Sequence, residues 1–289
     1  MTKLIKIERR KKLSKKEFIE NYLKTNKPVI VTDSMDDWKA SYLWTPEYFN
    51  QEFGKEKVQI YDDLFNLINI TNLNNYLKKY FNRASMNNSE KVPYVRWYTK
   101  LKENNFAWSD HIFDKIKYHW TIPYFLPETN YLLPYCVFPN TIYPNIQAFP
   151  AKGLFISGKK AKTRLHFDPW CSDAILCQIY GTKKVFLFHP AKKQYLSHNN
   201  ECIDLNNPDK EKFSNYLQVQ PDYIDILRSG EIIFLPQEWL HQVNTVSDSI
   251  SLTWNFVHHS TWIKFFHYLH NKPPENDLNI IKWFLKKHA

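Results

Sequence analysis

Gly230-Glu-Ile-Ile-Phe-Leu-Pro-Gln-Glu-Trp-Leu-His241 is the stretch on which the reading of this chain turns. Gly230-Glu231 reads as a tight turn into a short apolar strand, Glu231 to Leu235. Pro236 ends that strand without needing a ladder donor, so a loop bearing Trp239 can deliver His241 toward the centre of the fold. Upstream, short strands with turn punctuation recur from Gly153: Leu154 to Ser157, Arg164 to Asp168, Ala174 to Tyr180 and Lys184 to His189. A further strand, Ser249 to Val257, follows. Strands of this length and spacing predict a barrel or jelly roll.

Outward from this core, Ser14 and Glu17 form a capping box that opens an amphipathic helix ending before Pro28. A strand at Pro28 to Thr32 follows. Thr45 with Pro46 predicts a second helix ending near Gly54, Val58 to Tyr61 alternates like a strand, and the Asn-rich stretch to Met86 reads as helix plus loop. Tyr118 to Pro150, rich in proline and aromatics without a sustained period, reads as loops and short helices that line a pocket rim. After Val257 come an aromatic helical stretch (Trp262, Phe265, Phe266, Tyr268, Leu269), a Pro273-Pro274 break and a last helix from Leu278 to Lys287. The fold class expected is mainly β with helical elaborations. One domain covers 1–289, with a helical and edge-strand part at 1–150, a core at 151–258 and C-terminal helices at 259–289.

Hydrophobic residues make up 43% of the 289 and aromatics 17%, which excludes intrinsic disorder. Cys136, Cys171, Cys177 and Cys202 show neither zinc-site pairing nor disulfide-scaffold density. With no apolar run near the ~20 residues needed to span a bilayer and no apolar segment behind the basic N-terminus, the expectation is a cytoplasmic protein without membrane contact. The net charge of +10 steers toward acidic partners, RNA among them. A general enrichment in Asn, Ile, Lys and Tyr accounts for it equally well.

The chemistry-bearing residues begin with His166-Phe167-Asp168. Two positions apart in an extended strand, an imidazole and a carboxylate project from one face. A third histidine from a distant strand would complete a 2-His-1-carboxylate facial triad with open coordination positions, the donor set of non-heme iron(II) oxygenases. In a chain with 11 histidines an isolated H-x-D is a weak signal; its context is not. His166 is followed by Gly181-Thr-Lys-Lys-Val-Phe-Leu-Phe-His-Pro190, by the Gly230–His241 stretch and by Ser251-Leu-Thr-Trp-Asn-Phe256. Together with Phe18-x-x-x-Tyr22, Pro28-Val-Ile-Val31 and Trp38, this order resembles the JmjC/cupin-like 2-oxoglutarate oxygenases, the group of factor inhibiting HIF and the tRNA wybutosine hydroxylase. The resemblance runs from about Ser14 to Phe256.

That resemblance implies a double-stranded β-helix core, iron(II) held by His166, Asp168 and His241, and 2-oxoglutarate and dioxygen as co-substrates. It implies that Lys183 and Thr163 hold the distal carboxylate of 2-oxoglutarate, that Asn255 lies near it, and that Tyr94 or Tyr98 supplies a phenol. Strand alternation points Lys183 inward and Lys184 outward. One position departs from the pattern: Ala174 stands where relatives often carry Asn. The implied reaction couples decarboxylation of 2-oxoglutarate to succinate with hydroxylation of a C–H bond, which on an N-methyl carbon amounts to demethylation. A protein or peptide side chain is the first expectation for substrate, then an RNA base, then methyl-lysine; a barrel that binds without turnover is the alternative of another class. The C-terminal helices either cap the barrel or form a homodimer interface.

Overall fold

The computed structural model describes residues 5–83, 91–134, 141–199 and 201–288. Cys136 and the last residues of the Asn-rich stretch lie outside them. Two sheets face each other, antiparallel except where Arg9–Arg10 pairs in parallel with Val29–Val31 at the edge of the larger. The smaller has the order Tyr223–Leu227, Lys183–Phe188, Leu240–Thr245, Lys162–His166. The larger runs Arg9–Arg10, Val29–Val31, Glu231–Leu235, Asp173–Tyr180, Ser249–His258, Gly153–Ser157, Tyr94–Tyr98, Lys57–Tyr61, Leu67–Asn72, with Tyr131–Leu133 beside Ser249–His258. This is a jelly-roll core with helical additions, as the strand spacing predicts.

Period-2 alternation builds the interior. Val185 and Leu187 from the smaller sheet meet Ala174, Leu176, Ile233 and Leu235 from the larger, with Trp239 and Val243 closing the cluster. Each buried aliphatic side chain contributes roughly 1.5–3 kcal/mol. The opposite face of the larger sheet packs on the N-terminal helices in the largest apolar cluster, which includes Phe18, Trp44, Trp97, Trp120 and Trp254. Glycine is required where the smaller sheet connects to the larger. At Gly181, φ is +78° and an added Cβ would stand 1.9 Å from the Asp248 carbonyl oxygen.

Local signals hold at several termini. Ser14 and Glu17 form both halves of the capping box, and Thr45 caps the Pro46–Phe53 helix through the Tyr48 N–H. The first helix changes to π-type hydrogen bonding over Ile19–Leu23. Among the strands not legible as such are Leu67–Asn72, Tyr94–Tyr98, Tyr223–Leu227 and Leu240–Thr245. The first is an exposed edge, and the others carry polar residues that interrupt simple alternation.

The expectation for Tyr118 to Pro150 is corrected. Among its described residues, Trp120, Phe125, Tyr131 and Phe149 go into the core under the larger sheet, and none lines the central cavity. Their large apolar area is worth more buried than on a rim. The C-terminal helices instead reach the site. Trp262–His270 and Glu275–His288 pack Phe265, Ile280, Ile281 and Phe284 onto Leu133, Trp170 and Val257, while Trp262, Ile263 and Phe266 are exposed. No helix among the described residues is long and apolar enough to cross a membrane.

Candidate metal and co-substrate site

Antiparallel pairing sets His241 directly opposite His166. His241 is therefore delivered by a strand, Leu240–Thr245, and not by the loop itself; the loop of Pro236 to Trp239 turns the chain into that strand. The two imidazoles lie 4.1 Å apart between centroids. His166 Nδ1 donates to the Arg164 carbonyl at 2.8 Å and His241 Nδ1 to the Trp239 carbonyl at 3.0 Å. With Nδ1 carrying the proton, each Nε2 keeps its lone pair for a ligand, the orienting device common around metal-binding histidines.

The strand ends at His166 and not at Asp168, yet Asp168 keeps extended backbone (φ −67°, ψ 146°) before Pro169 starts a single helical turn. Its Oδ2 lies 4.0 Å from His241 Nε2. One ligand atom from each of the three residues falls within 4.8 Å of the other two, the one such group among the described residues. Burial, then the neighbouring His241, holds the His166 pKa well below 6.5, so that imidazole is neutral. Burial raises the Asp168 pKa, opposed by His241 and a hydrogen bond from Asn255; a bound divalent cation acts in the lowering direction. Two imidazoles and one carboxylate, with no fourth protein ligand among the described residues, fit an open iron(II) site.

These side chains line a cavity of about 1000 Å³, at the upper end of ordinary ligand sites. Thr163, Lys183, Tyr94, Tyr98, Asn255 and Ala174 also line it. Lys183 is 1% exposed, and its Nζ stands 5.3 Å from the Tyr94 ring centroid. Lys184 instead points outward over Phe186. Among the described residues no carboxylate lies within ion-pair distance of Lys183. Burial depresses its pKa, partly opposed by Tyr94.

The structure separates the two tyrosines. The Tyr94 hydroxyl shares a 2.9 Å hydrogen bond with Thr245, which also bonds Ser157, and it stands beside Lys183. Tyr98 packs against Tyr61 and Phe155, and burial raises its pKa. Asn255 pairs with Ala174 across neighbouring strands and donates to Ser172 Oγ at 2.9 Å. The amide at this level of the cavity thus comes from the strand adjoining Ala174.

One functional candidate went unread in the sequence. Arg96, between Tyr94 and Tyr98 on the same strand, is fully buried and donates to Thr163 Oγ1 at 2.9 Å. Period-2 alternation in Tyr94-Val-Arg-Trp-Tyr98 was the available signal, since it places Arg96 on the face of both tyrosines.

The outer cavity differs. Phe65, Phe167, Trp170 and Tyr268 supply apolar wall, and charges of both signs stand among them. Lys264 pairs with Glu238 at 3.4 Å, Tyr268 donates to Asp277 at 2.6 Å, Lys212 pairs with Glu201 at 2.5 Å, and Lys193 lies over Phe167.

Residues 14–261 match the cupin-like domain family. The chain belongs to that family. Similar proteins include the arginine-specific demethylase JMJ20 of Arabidopsis thaliana, 26% identical over 279 residues, covering 88% of this chain and 57% of that protein. The 2-oxoglutarate and iron-dependent oxygenase JMJD4 of Gallus gallus is 24% identical over 261 residues, 83% of this chain and 57% of that protein. The lysine-specific demethylase JMJ30 of Arabidopsis thaliana is 24% identical, covering 86% of this chain and 55% of that protein. The chain spans somewhat over half the length of these curated relatives.

Proposed function

We propose that this cupin-like protein is an iron(II)- and 2-oxoglutarate-dependent oxygenase that hydroxylates a C–H bond of a protein side chain. The observation that carries this reading is the pairing of a three-ligand, open-faced metal group with a buried, uncompensated lysine in one cavity. His166, Asp168 and His241 hold the metal, which when bound supplies the oxidising chemistry that couples keto-acid decarboxylation to oxygen transfer. Lys183, Thr163 and Tyr94 anchor the distal carboxylate, and Asn255 steadies Asp168. Phe65, Phe167 and Trp170 keep bulk water from the reacting carbon.

The mixed charge of the cavity mouth favours a peptide over RNA. A phosphate backbone is drawn to a continuous basic track, whereas Glu201, Glu238 and Asp277 interrupt the lysines here. Relatives named as arginine- and lysine-specific demethylases support a substrate in which the hydroxylated carbon is an N-methyl, the same step ending in demethylation. We also take the C-terminal helices to belong to the working unit, because they wall the cavity.

The test is incubation of the full chain with iron(II), 2-oxoglutarate, ascorbate and a protein extract. The expected result is succinate formation, with a one-oxygen mass gain or loss of a methyl group on a peptide, both absent in His166→Ala. Neither succinate nor bound iron in the wild type would leave a binding module in place of an enzyme.

A further inference from the structure

Arg96 is a buried guanidinium without a counterion among the described residues. It is 0% exposed, and among the described residues no carboxylate lies within ion-pair distance. Nη1 donates to the Asp62 carbonyl at 2.9 Å and Nη2 to Thr163 Oγ1 at 2.9 Å, while Nε has no partner. The group lies 4.0 Å from the Phe65 ring centroid and 4.9 Å from that of Tyr94. The rings return part of the desolvation cost. An isolated charge of this kind is still costly to bury, and the natural compensation is an anion that arrives later.

Two features place that anion in the cavity. Arg96 and Lys183 stand against the same Tyr94 ring, so two uncompensated cations flank one wall. Thr163 faces the cavity, and its oxygen is already engaged as an acceptor by Arg96. A hydroxyl has one proton and two lone pairs, so the Thr163 proton is left to be donated elsewhere.

We propose that Arg96 is a positioning and specificity residue of the co-substrate pocket, one that makes Thr163 a donor into the cavity and selects a keto acid ending in a carboxylate. This rests on the oxygenase reading above. A keto acid with a neutral distal end leaves both cations uncompensated and is rejected for that reason.

The experiment measures dissociation constants of 2-oxoglutarate and of its distal-amide analogue, 2-oxoglutaramate, on the Mn(II)-loaded full chain by calorimetry. The wild type prefers the dicarboxylate. Arg96→Gln shrinks that preference by roughly tenfold or more, Arg96→Lys retains part of it, and Thr163→Val adds little on top of Arg96→Gln because the two act through one bond. Equal weakening of both keto acids in Arg96→Gln, the signature of lost packing alone, overturns the inference. Should that variant fail to fold, Arg96→Lys decides: an unchanged preference overturns it, a narrowed one supports it. A wild type that binds neither keto acid defeats the oxygenase reading itself, and this inference with it.

Discussion

The inner and outer halves of the cavity handle charge in opposite ways. Inside, Lys183 and Arg96 are buried with no carboxylate among the described residues to meet them, and Asp168 faces two imidazoles. Outside, Lys264 meets Glu238 and Tyr268 meets Asp277. A protein that neutralises its mouth and leaves its floor charged has reserved the floor for ligands, since unpaired buried charge is costly unless something else compensates it. On the proposed function, the same physics says where substitution matters: the floor would control metal and co-substrate, and the mouth would only modulate what enters.

The sharpest way to break this contrast is at the metal group. His166→Ala or His241→Ala removes one of three ligands and weakens iron(II) or Mn(II) binding by more than ~100-fold, beyond the loss typical of outer-shell changes. Anaerobic titration reads it, and retained affinity in either variant would remove the metal from the floor.

Lys183→Met tests the floor's charge, with opposite signs for binding and stability. Affinity for 2-oxoglutarate falls roughly 30- to 1000-fold, while the ligand-free protein becomes more stable because a buried, unpaired ammonium is gone. The pH dependence follows. Burial holds the folded-state pKa of Lys183 below 10.5, so between that pKa and 10.5 the unfolded chain binds more protons and wild-type stability rises with pH. Lys183→Met lacks this rise in denaturant melts across alkaline pH.

Tyr94→Phe weakens 2-oxoglutarate binding by about tenfold, through the lost hydroxyl beside Lys183. Tyr98→Phe leaves it nearly unchanged. The reverse order would move the carboxylate end of the pocket away from Lys183.

The smallest effects belong to the mouth. Glu238→Gln breaks a half-exposed pair with Lys264 and costs about 0.5 kcal/mol or less in stability. It shifts the KM for the protein substrate and not for 2-oxoglutarate; a change in the latter alone would erase the distinction between the two halves.

Much of this was legible along the chain because it is local. The capping box at Ser14, the proline stop at Pro236, the inward turn of Lys183 and the H-x-D pair each follow from backbone periodicity or turn chemistry within a few residues. What was not legible shows the other side. The aromatics of 118–150 looked like rim but became core, since nothing local says which large apolar residues find a sheet to cover them. The strand holding His241 hid behind its own polar residues, and the strand of Tyr94 and Arg96 was read as two candidate phenols.

The sequence by itself determined the donor types, the H-x-D pair and the inward turn of Lys183, because side-chain chemistry and alternation are properties of short segments. Only the tertiary structure decided that His241 opposes His166 in register, that Tyr94 and not Tyr98 stands with Lys183, and that Arg96 is buried without a counterion among the described residues. Those facts depend on pairings between residues as much as 151 positions apart, as in Tyr94 with Thr245. Such distances are closed by sheet register and by burial, which no local pattern encodes.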